Sequence, residues 1–306
     1  MPFATKTFSF PALGTTWHVE IVSNFTDEET TALKTAVVSL VADFENKYSR
    51  FKADSLITKL NKERVLPNPE TETVTLLQLG QDLYQKTATI FNPLVGEHLN
   101  RRGYDADYSF IPQAEPDDFP NPLTDLQITP AKITLTKGLI DLGGYGKGYA
   151  LDLVADFLRK TWQLHDFLIN AGGDIIVSNK LSPPWELYLE HPTEANTYLG
   201  KIALTNASLA SSSPHKREWR VAGKTYNHII DTSERAAVTP DVKTLDASFV
   251  VAPSALAADV LGTVLLITHK DKYQSLLESF AAQAATYSLT EKSLSLYHNF
   301  PKIISL

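Results

Sequence analysis

The sequence of residues 140–152, IDLGGYGKGYALD, contains the feature around which the rest of the chain is arranged. It places an acid, a lysine and several glycines where we predict that a helix begins, namely Asp141, Gly143, Gly144, Gly146, Lys147 and Gly148. Glycines let the backbone adopt positive φ and lie close to a ligand. A helix N-terminus carries unpaired N–H groups and partial positive charge, which favour an anion. The stretch therefore predicts an anion-binding turn or, alternatively, a tight strand-to-helix turn without a ligand.

Two familiar nucleotide-binding motifs do not fit this stretch. A P-loop requires a glycine five residues before the Gly146-Lys147 pair and Ser or Thr after it, whereas this chain has Asp141 and Gly148 there. The spacing of Gly144, Gly146 and Gly148 also differs from the GxGxxG dinucleotide fingerprint.

The composition is that of an ordinary globular protein, and it narrows the possible functions. The chain has 306 residues, of which 43% are hydrophobic and 21% are charged. Its net charge of −7 argues against a general nucleic-acid or membrane-surface binder. The absence of cysteine excludes disulfides, thiolate nucleophiles and Cys-ligated zinc.

The sequence also gives an expectation for localisation. The first residues, MPFATKTFSFPALG, lack a charged-then-apolar signal pattern, and without cysteine there is no lipobox. The best apolar run, residues 260–268, is too short to span a bilayer. We therefore expect a cytoplasmic protein without a membrane span.

Periodicity and turn signals predict antiparallel-style strands and separate helices, which favours the α+β class and one unit over residues 1–306. A pair of strands is expected over residues 8–22, and a capping box of Thr26 and Glu29 begins a helix that reaches Tyr48. Ser254 is expected to be the N-cap of a later helix. Short strands are expected at residues 133–135, 139–142 and 226–230, and a loop at residues 210–213.

One candidate metal site is a pair of oxygen ligands four residues apart. Asp259 and Thr263 share one face of a predicted helix and can offer a carboxylate and a hydroxyl to Mg²⁺. Alternatively, Thr263 bonds to its own helix backbone and Asp259 is solvated.

Two other clusters can carry chemistry. His228 can act as a general acid or base, or it can be a structural histidine in a strand. Ser211, Ser212 and Ser213, followed by Lys216 and Arg217, suit phosphate oxygens or form an ordinary loop.

The order of these motifs along nearly the whole chain resembles that of the FAD:protein FMN transferases, the ApbE family. The motifs that carry the resemblance are LGTT (13–16), YSRFKADS (48–55), IDLGGYGKGYALD (140–152), NAGGD (170–174), YNHIID (226–231), VAPSA (251–255) and DVLGT (259–263).

The resemblance implies an α+β, T-fold-related catalytic unit of mostly antiparallel sheets with flanking helices. It also implies FAD as the substrate and Mg²⁺ as a cofactor. The FMN half would pass to a Ser or Thr hydroxyl within a short motif of an acceptor protein, with release of AMP.

Matched position by position, the resemblance implies that His228 is catalytic. It implies metal ligation by Asp259, Thr263 and the backbone of Gly144 and Gly262. It implies contacts with FAD from Leu13, Phe51, Asn92, Asp141, Lys147, Ser212 and Ile230.

The chain departs from the family pattern near the expected nucleotide. Leu13, Phe51 and Asn92 stand where members commonly have Met, Tyr and Asp. The pattern Asp-Pro-x-Thr-Gly is replaced by DTSER at residues 231–235, and a Thr-Ser-Gly turn is replaced by serines at residues 211–213 followed by a proline. We predict that FAD binding survives these changes.

Two alternative functions use the same residues. In a Mg²⁺-dependent FAD pyrophosphatase, water replaces the acceptor hydroxyl. A non-catalytic FAD carrier or sensor would bind FAD without forming AMP.

Overall fold

The structure is a computed structural model that describes residues 4–116, 118–232 and 245–306. In these residues the strands are β1 (Ala4–Ala12), β2 (Thr15–Ser23), β3 (Val65–Pro67), β4 (Leu126–Ile128), β5 (Lys132–Leu135), β6 (Phe167–Ala171), β7 (Asp174–Ser178), β8 (Trp185–Glu190), β9 (Tyr198–Leu204), β10 (Ala207–Ser212), β11 (Glu218–Val221), β12 (Lys224–Asn227), β13 (Ala247–Ala252), β14 (Gln283–Ser288) and β15 (Ser293–Tyr297). The α-helices are α1 (Asp27–Tyr48), α2 (Leu56–Glu63), α3 (Thr71–Lys86), α4 (Gly96–Arg101), α5 (Pro122–Asp125), α6 (Gly146–Lys160), α7 (Ala255–Ile267) and α8 (Tyr273–Ser279). None of the helices in the described ranges has both the length and the hydropathy needed to cross a membrane.

One long sheet organises the fold. Its strand order is β1-β2-β6-β7-β10-β13-β14-β15, and all neighbouring strands are antiparallel. In β2 the alternating side chains of Trp17, Val19 and Ile21 are completely buried, as the sequence predicts. The predicted α+β class is confirmed.

The two faces of this sheet are covered differently. Helices α1, α6 and α7 contribute Val37, Leu151 and Leu261 to the larger hydrophobic core on one face. The hairpin of β8 and β9 covers the other face, where Leu187 packs in a second core with Phe249. The glycine turn that leads into α6 therefore lies on the helix-covered side of the sheet.

Helix α1 begins and ends where the sequence predicts. The Thr26 N–H donates to Glu29 Oε2 at 2.7 Å, and the Glu29 N–H donates to Thr26 Oγ1 at 3.1 Å, which completes the capping box. The helix ends at Tyr48, whose side chain is buried. The loop that follows α1 lies beside the glycine turn, since Arg50 in this loop donates to Asp141.

The strand predicted at residues 139–142 is wrong. Leu139 forms a single parallel bridge with Val95, and no strand continues from it in the described residues. The Asn61 side chain instead accepts from the Ile140 N–H at 2.7 Å and donates to the Ile140 carbonyl at 2.9 Å. Because one amide satisfies both backbone groups, the segment does not need a strand partner.

Two other local predictions also needed correction. Residues 210–212 are not a loop, because they belong to β10 and pair with β13, whereas Ser213 lies just beyond the strand. Gly262 on α7 lies so close to Ser212 that only a small side chain fits at this position of the strand. The strand predicted at residues 226–230 stops at Asn227, whose Oδ1 accepts from the Ile229 N–H at 2.9 Å and starts a turn.

The N-terminal parts of α6 and α7 pack against each other and are joined by three hydrogen bonds. The Asp152 carboxylate on α6 accepts from the N–H groups of Ala255 and Leu256 in the first turn of α7, at 2.9 and 3.0 Å. The Asp259 carboxylate on α7 accepts from the Gly148 N–H in the first turn of α6, at 2.9 Å. Each helix thus caps the N-terminus of the other.

The contact between these helices explains why residue 148 is glycine. A Cβ atom at Gly148 would lie 2.7 Å from the Ala255 carbonyl oxygen and 2.7 Å from Leu256 Cα. Both are backbone atoms that cannot rotate away. The glycine therefore permits the close packing of α6 on α7.

We expect Asp152→Ala to lower the free energy of unfolding by about 1–2 kcal/mol, because it leaves two N–H groups in the first turn of α7 without their acceptor. Asp156→Ala is the matched control on the same helix, since the Asp156 side chain is 52% exposed and pairs with Lys160 at the surface. We expect its effect to stay within about 0.5 kcal/mol. Urea unfolding measures both, and equal losses would contradict a capping role for Asp152.

Candidate active site

A cavity of about 570 Å³ opens beside the glycine turn. Five of the residues predicted from the sequence line it, namely Leu13, Phe51, Asp141, Lys147 and His228. They come from the β1–β2 turn, the loop after α1, the glycine turn, the start of α6 and the segment after β12. Residues far apart in the sequence thus meet in one site.

A smaller cavity of about 70 Å³ adjoins the first one. It shares Asp141 and His228 with the larger cavity and adds four more predicted residues, namely Asn92, Gly144, Ile230 and Thr263. Ser212, Asp259 and Gly262 line neither of these two cavities.

Lys147 lies in a cluster of opposite charges at the start of α6. Its ammonium group pairs with Asp174, a buried residue at the start of β7 for which the sequence suggested no individual role. Burial acts to lower the pKa of Lys147, but the negative charges of Asp174 and Asp259 outweigh it and raise that pKa. Lys147 is therefore a cation at the edge of the cavity.

The structure does not show the alternative in which Asp259 is solvated and Thr263 bonds to its own helix backbone. Asp259 is buried, and no hydrogen bond from the Thr263 hydroxyl to its own helix occurs among the described residues. Burial raises the pKa of the Asp259 carboxyl, because it disfavours the charged form. The negative charge of the buried Asp174 raises this pKa further, because the two carboxylates repel each other. A bound cation would relieve this repulsion.

These residues fit a Mg²⁺ ion. Within the described ranges no three acidic or histidine side chains converge on one point. A metal held here would therefore depend on the Asp259 carboxylate together with the Thr263 hydroxyl and the Gly144 carbonyl, all of which are hard oxygen ligands suited to Mg²⁺. The Gly144 and Thr263 residues already border the same small cavity.

Gly262 and Ser212 form the contact between α7 and the sheet. A Cβ atom at Gly262 would lie 2.9 Å from Ser212 Oγ, and the Gly262 carbonyl accepts from Ser248 Oγ at 2.5 Å. This contact explains the glycine through packing. Metal ligation by Gly262 and FAD contact by Ser212 remain predictions.

His228 borders both cavities, and its Nδ1 is buried without a hydrogen-bond partner in the described part of the chain. Burial, followed by the positive charge of Arg217, lowers the pKa of His228 to about 4. The imidazole is therefore neutral at pH 7 and can accept a proton.

Asn92 has its polar atoms engaged with the backbone of its own loop and of the distant loop that contains Pro120. Its Nδ2 donates to the Pro120 carbonyl at 2.8 Å, and its Oδ1 accepts from the Leu94 N–H at 2.9 Å. An aspartate at this position would have no N–H to donate to Pro120. The predicted contact of Asn92 with FAD remains a prediction.

Aromatic side chains form a wall of the larger cavity that sequence reasoning missed. They are Tyr104, Tyr108, Phe110 and Trp219. The Tyr104 and Trp219 rings stack 6.1 Å apart at 16°, and Tyr108 stacks on Phe51 at 5.2 Å and 6°. The available signal was the density of aromatic residues at positions 104–110.

The altered segment after His228 is described only in part. Thr232 lines the small cavity and donates from Oγ1 to the Ile90 carbonyl at 2.6 Å. Residues 233–235, which carry the remaining departures from the family pattern, lie outside the described residues.

Comparison with known proteins places this chain in a family. The model of the ApbE family matches residues 13–287, so the chain belongs to the ApbE family, as its motifs predict. The FAD:protein FMN transferase of Vibrio cholerae is 23% identical over 290 residues, which cover 89% of this chain and 84% of that protein. The enzyme of the same name from Haemophilus influenzae is 25% identical over 288 residues, covering 85% and 80%.

A solved structure confirms the fold. The crystal structure of the ApbE protein from Thermotoga maritima matches with a TM-score of 0.82 at 20% identity. The match covers 97% of this chain and 98% of the other.

We expect the pH titration of His228, followed by NMR, to have its midpoint near pH 4. Arg217→Gln should raise this midpoint towards the ordinary value of 6.5, because it removes a positive charge that disfavours the imidazolium. Tyr104→Phe is the matched control: it removes the hydroxyl to which Arg217 donates at 2.6 Å but leaves the charge. A midpoint near 6.5 in the unaltered protein would contradict this account.

Proposed function

We propose that this protein is an FAD:protein FMN transferase, which moves the FMN half of FAD to a Ser or Thr hydroxyl of an acceptor protein and releases AMP. The observation that carries the proposal is the convergence of His228, Lys147, Gly144 and Thr263 on two adjoining cavities. The names of the relatives from Vibrio cholerae and Haemophilus influenzae support it.

The proposed reaction exchanges one phosphorus–oxygen bond for another. The acceptor hydroxyl oxygen bonds to the phosphorus of the FMN half, and the bond from that phosphorus to the bridging oxygen breaks. The bridging oxygen leaves with AMP, and the hydroxyl proton goes to a base. Negative charge therefore develops on the bridging oxygen.

Lys147 is suited to bind the pyrophosphate of FAD. It is a cation at the N-terminus of α6, where the helix also favours an anion. Its pairing with Asp174 holds its ammonium group at the cavity edge. A Mg²⁺ ion held by Gly144, Asp259 and Thr263 would supply further charge neutralisation to the phosphate oxygens.

His228 is suited to accept the proton of the acceptor hydroxyl. Its lowered pKa keeps it neutral, so it is unprotonated before the reaction. Its position on the border of both cavities puts it next to both the Lys147 side and the Gly144–Thr263 side of the site.

The aromatic wall is suited to the isoalloxazine ring. Planar rings bind well to aromatic rings, and Tyr104, Tyr108, Phe110 and Trp219 line the larger cavity together with Phe51. Leu13 and Phe51 keep an apolar character where other members commonly have Met and Tyr.

The test is to incubate the protein with FAD and Mg²⁺, with and without an acceptor domain that carries a Ser/Thr flavinylation motif. The proposal requires AMP and an acceptor whose flavin fluorescence survives denaturing electrophoresis. AMP without labelled acceptor would identify a pyrophosphatase instead. Bound FAD without AMP would identify a carrier or sensor.

We expect His228→Ala to lower the transfer rate on the order of 10²–10⁴-fold, because the base is lost. FAD affinity should change little, since the proton moves only during the reaction. Single-turnover labelling and FAD titration measure the two quantities. An unchanged transfer rate would exclude His228 as the base.

We expect Asp259→Asn to weaken Mg²⁺ binding on the order of tenfold or more, because it removes the single carboxylate of the proposed ligand set. The asparagine can still accept from the Gly148 N–H, so the α6–α7 contact remains. Isothermal titration with Mg²⁺ measures the effect, and Asp271→Asn, with its exposed side chain, is the control. Equal Mg²⁺ affinity in all three proteins would contradict the metal assignment.

A further inference from the structure

Arg50 is a buried arginine whose guanidinium group uses every nitrogen. Its side chain is 6% exposed. Nε donates to Asp141 Oδ2, one terminal nitrogen donates to Asn100 Oδ1 at 2.8 Å, and the other donates to the Tyr104 carbonyl at 2.8 Å. Arg50 therefore joins the glycine turn, helix α4 and the start of the next loop.

The first of these contacts controls a charge inside the site. Asp141 borders both cavities, and its side chain is 8% exposed. Its Oδ1 accepts from the Gly143 N–H at 2.7 Å, and its Oδ2 is held by Arg50. An unpaired carboxylate at this position would repel the pyrophosphate of FAD, and the guanidinium cancels that repulsion.

The other contacts control the shape of the site. The Tyr104 carbonyl held by Arg50 lies at the start of the loop that carries Tyr108 and Phe110. The guanidinium carbon also lies 4.2 Å from the centre of the Phe51 ring and 5.7 Å from that of Tyr104. One side chain thus contacts the rings of both Phe51 and Tyr104, and Phe51 in turn stacks on Tyr108.

We propose that Arg50 is a positioning residue for FAD: it neutralises Asp141 beside the pyrophosphate and fixes the aromatic wall against which the flavin lies. This inference rests on the proposed function, because FAD is the ligand that needs both features. Arg50 acts through its hydrogen-bond partners: Asp141 and Tyr104 line the larger cavity, and Asn100 anchors the guanidinium to α4.

Lysine cannot replace arginine in this arrangement. A lysine has one compact ammonium group, whereas the planar guanidinium addresses three acceptors in fixed directions and stacks on a ring. Arg50→Lys therefore keeps the charge next to Asp141 but loses the contacts that hold the wall. Arg50→Met removes both.

The experiment measures the dissociation constant of FAD by the change in flavin fluorescence, at low and high salt. We expect Arg50→Met to weaken binding at least about tenfold and Arg50→Lys to weaken it less. Arg220→Met is the control, since it removes the same charge from a side chain that is 76% exposed. We expect this variant to bind FAD as the unaltered protein does.

Rescue by a second substitution separates charge neutralisation from general folding damage. Adding Asp141→Asn to Arg50→Met should recover at least about threefold of the lost affinity, because no unpaired buried carboxylate then remains. A residue needed only for folding would not be rescued in this way. Thermal melting identifies any variant that fails to fold; if Arg50→Met does so, Arg50→Gln, which also removes the charge, gives the same comparison with and without Asp141→Asn.

The FAD-binding measurements distinguish a failure of the role proposed for Arg50 from a failure of the proposed function. If the unaltered protein does not bind FAD, the proposed function itself fails. If it binds FAD and Arg50→Met or Arg50→Lys binds equally well, Arg50 does not position the ligand. If affinity falls but Asp141→Asn restores none of it, the neutralisation of Asp141 is excluded.

Discussion

The exchange of hydrogen bonds between α6 and α7 is the constraint on which the site depends. Asp152 accepts from the first turn of α7, Asp259 accepts from the first turn of α6, and Gly148 lets the two helices touch. This contact sets the distance between the glycine turn and the residues one turn further along α7. Asp259 therefore serves the fold through one oxygen and remains a candidate metal ligand through the other. Structural and chemical roles are combined in a single carboxylate.

The site is also constrained by the balance of its buried charges. Lys147 faces two carboxylates, Asp174 and Asp259, so this part of the site has an excess of negative charge that suits a divalent cation. Asp141 is paired with Arg50, which leaves it neutralised within the cavity wall. His228 is kept neutral by burial and by the nearby Arg217. Although the protein has a net charge of −7, the charges inside the site can thus suit an anionic dinucleotide.

Features with local causes could be predicted from the sequence. The β1–β2 hairpin follows from alternating side chains, and the start of α1 follows from a capping box of adjacent residues. The Ser254 N-cap is likewise confirmed, with its side chain accepting from the Ala257 N–H at 3.2 Å. The family and its fold could be recognised because several short motifs occur in a fixed order.

Features with long-range causes could not be predicted. Arg50 and Asp141 are 91 residues apart, and nothing in either motif indicates that they pair. The Asn61 side chain bonds to both backbone groups of Ile140, so these groups have no strand partner among the described residues where a strand was expected. Tyr104 and Trp219 stack only after two distant segments pack together. In each case the partner is defined by tertiary structure, so a local pattern carries no signal for it.

The most direct test of this account is anomalous diffraction from crystals grown with FAD and Mn²⁺ as a substitute for Mg²⁺. The account predicts an anomalous peak within ligand distance of the Asp259 carboxylate, the Thr263 hydroxyl and the Gly144 carbonyl, with the pyrophosphate next to Lys147. A peak remote from α7, or FAD bound outside the cavity between Lys147 and the aromatic wall, would contradict it.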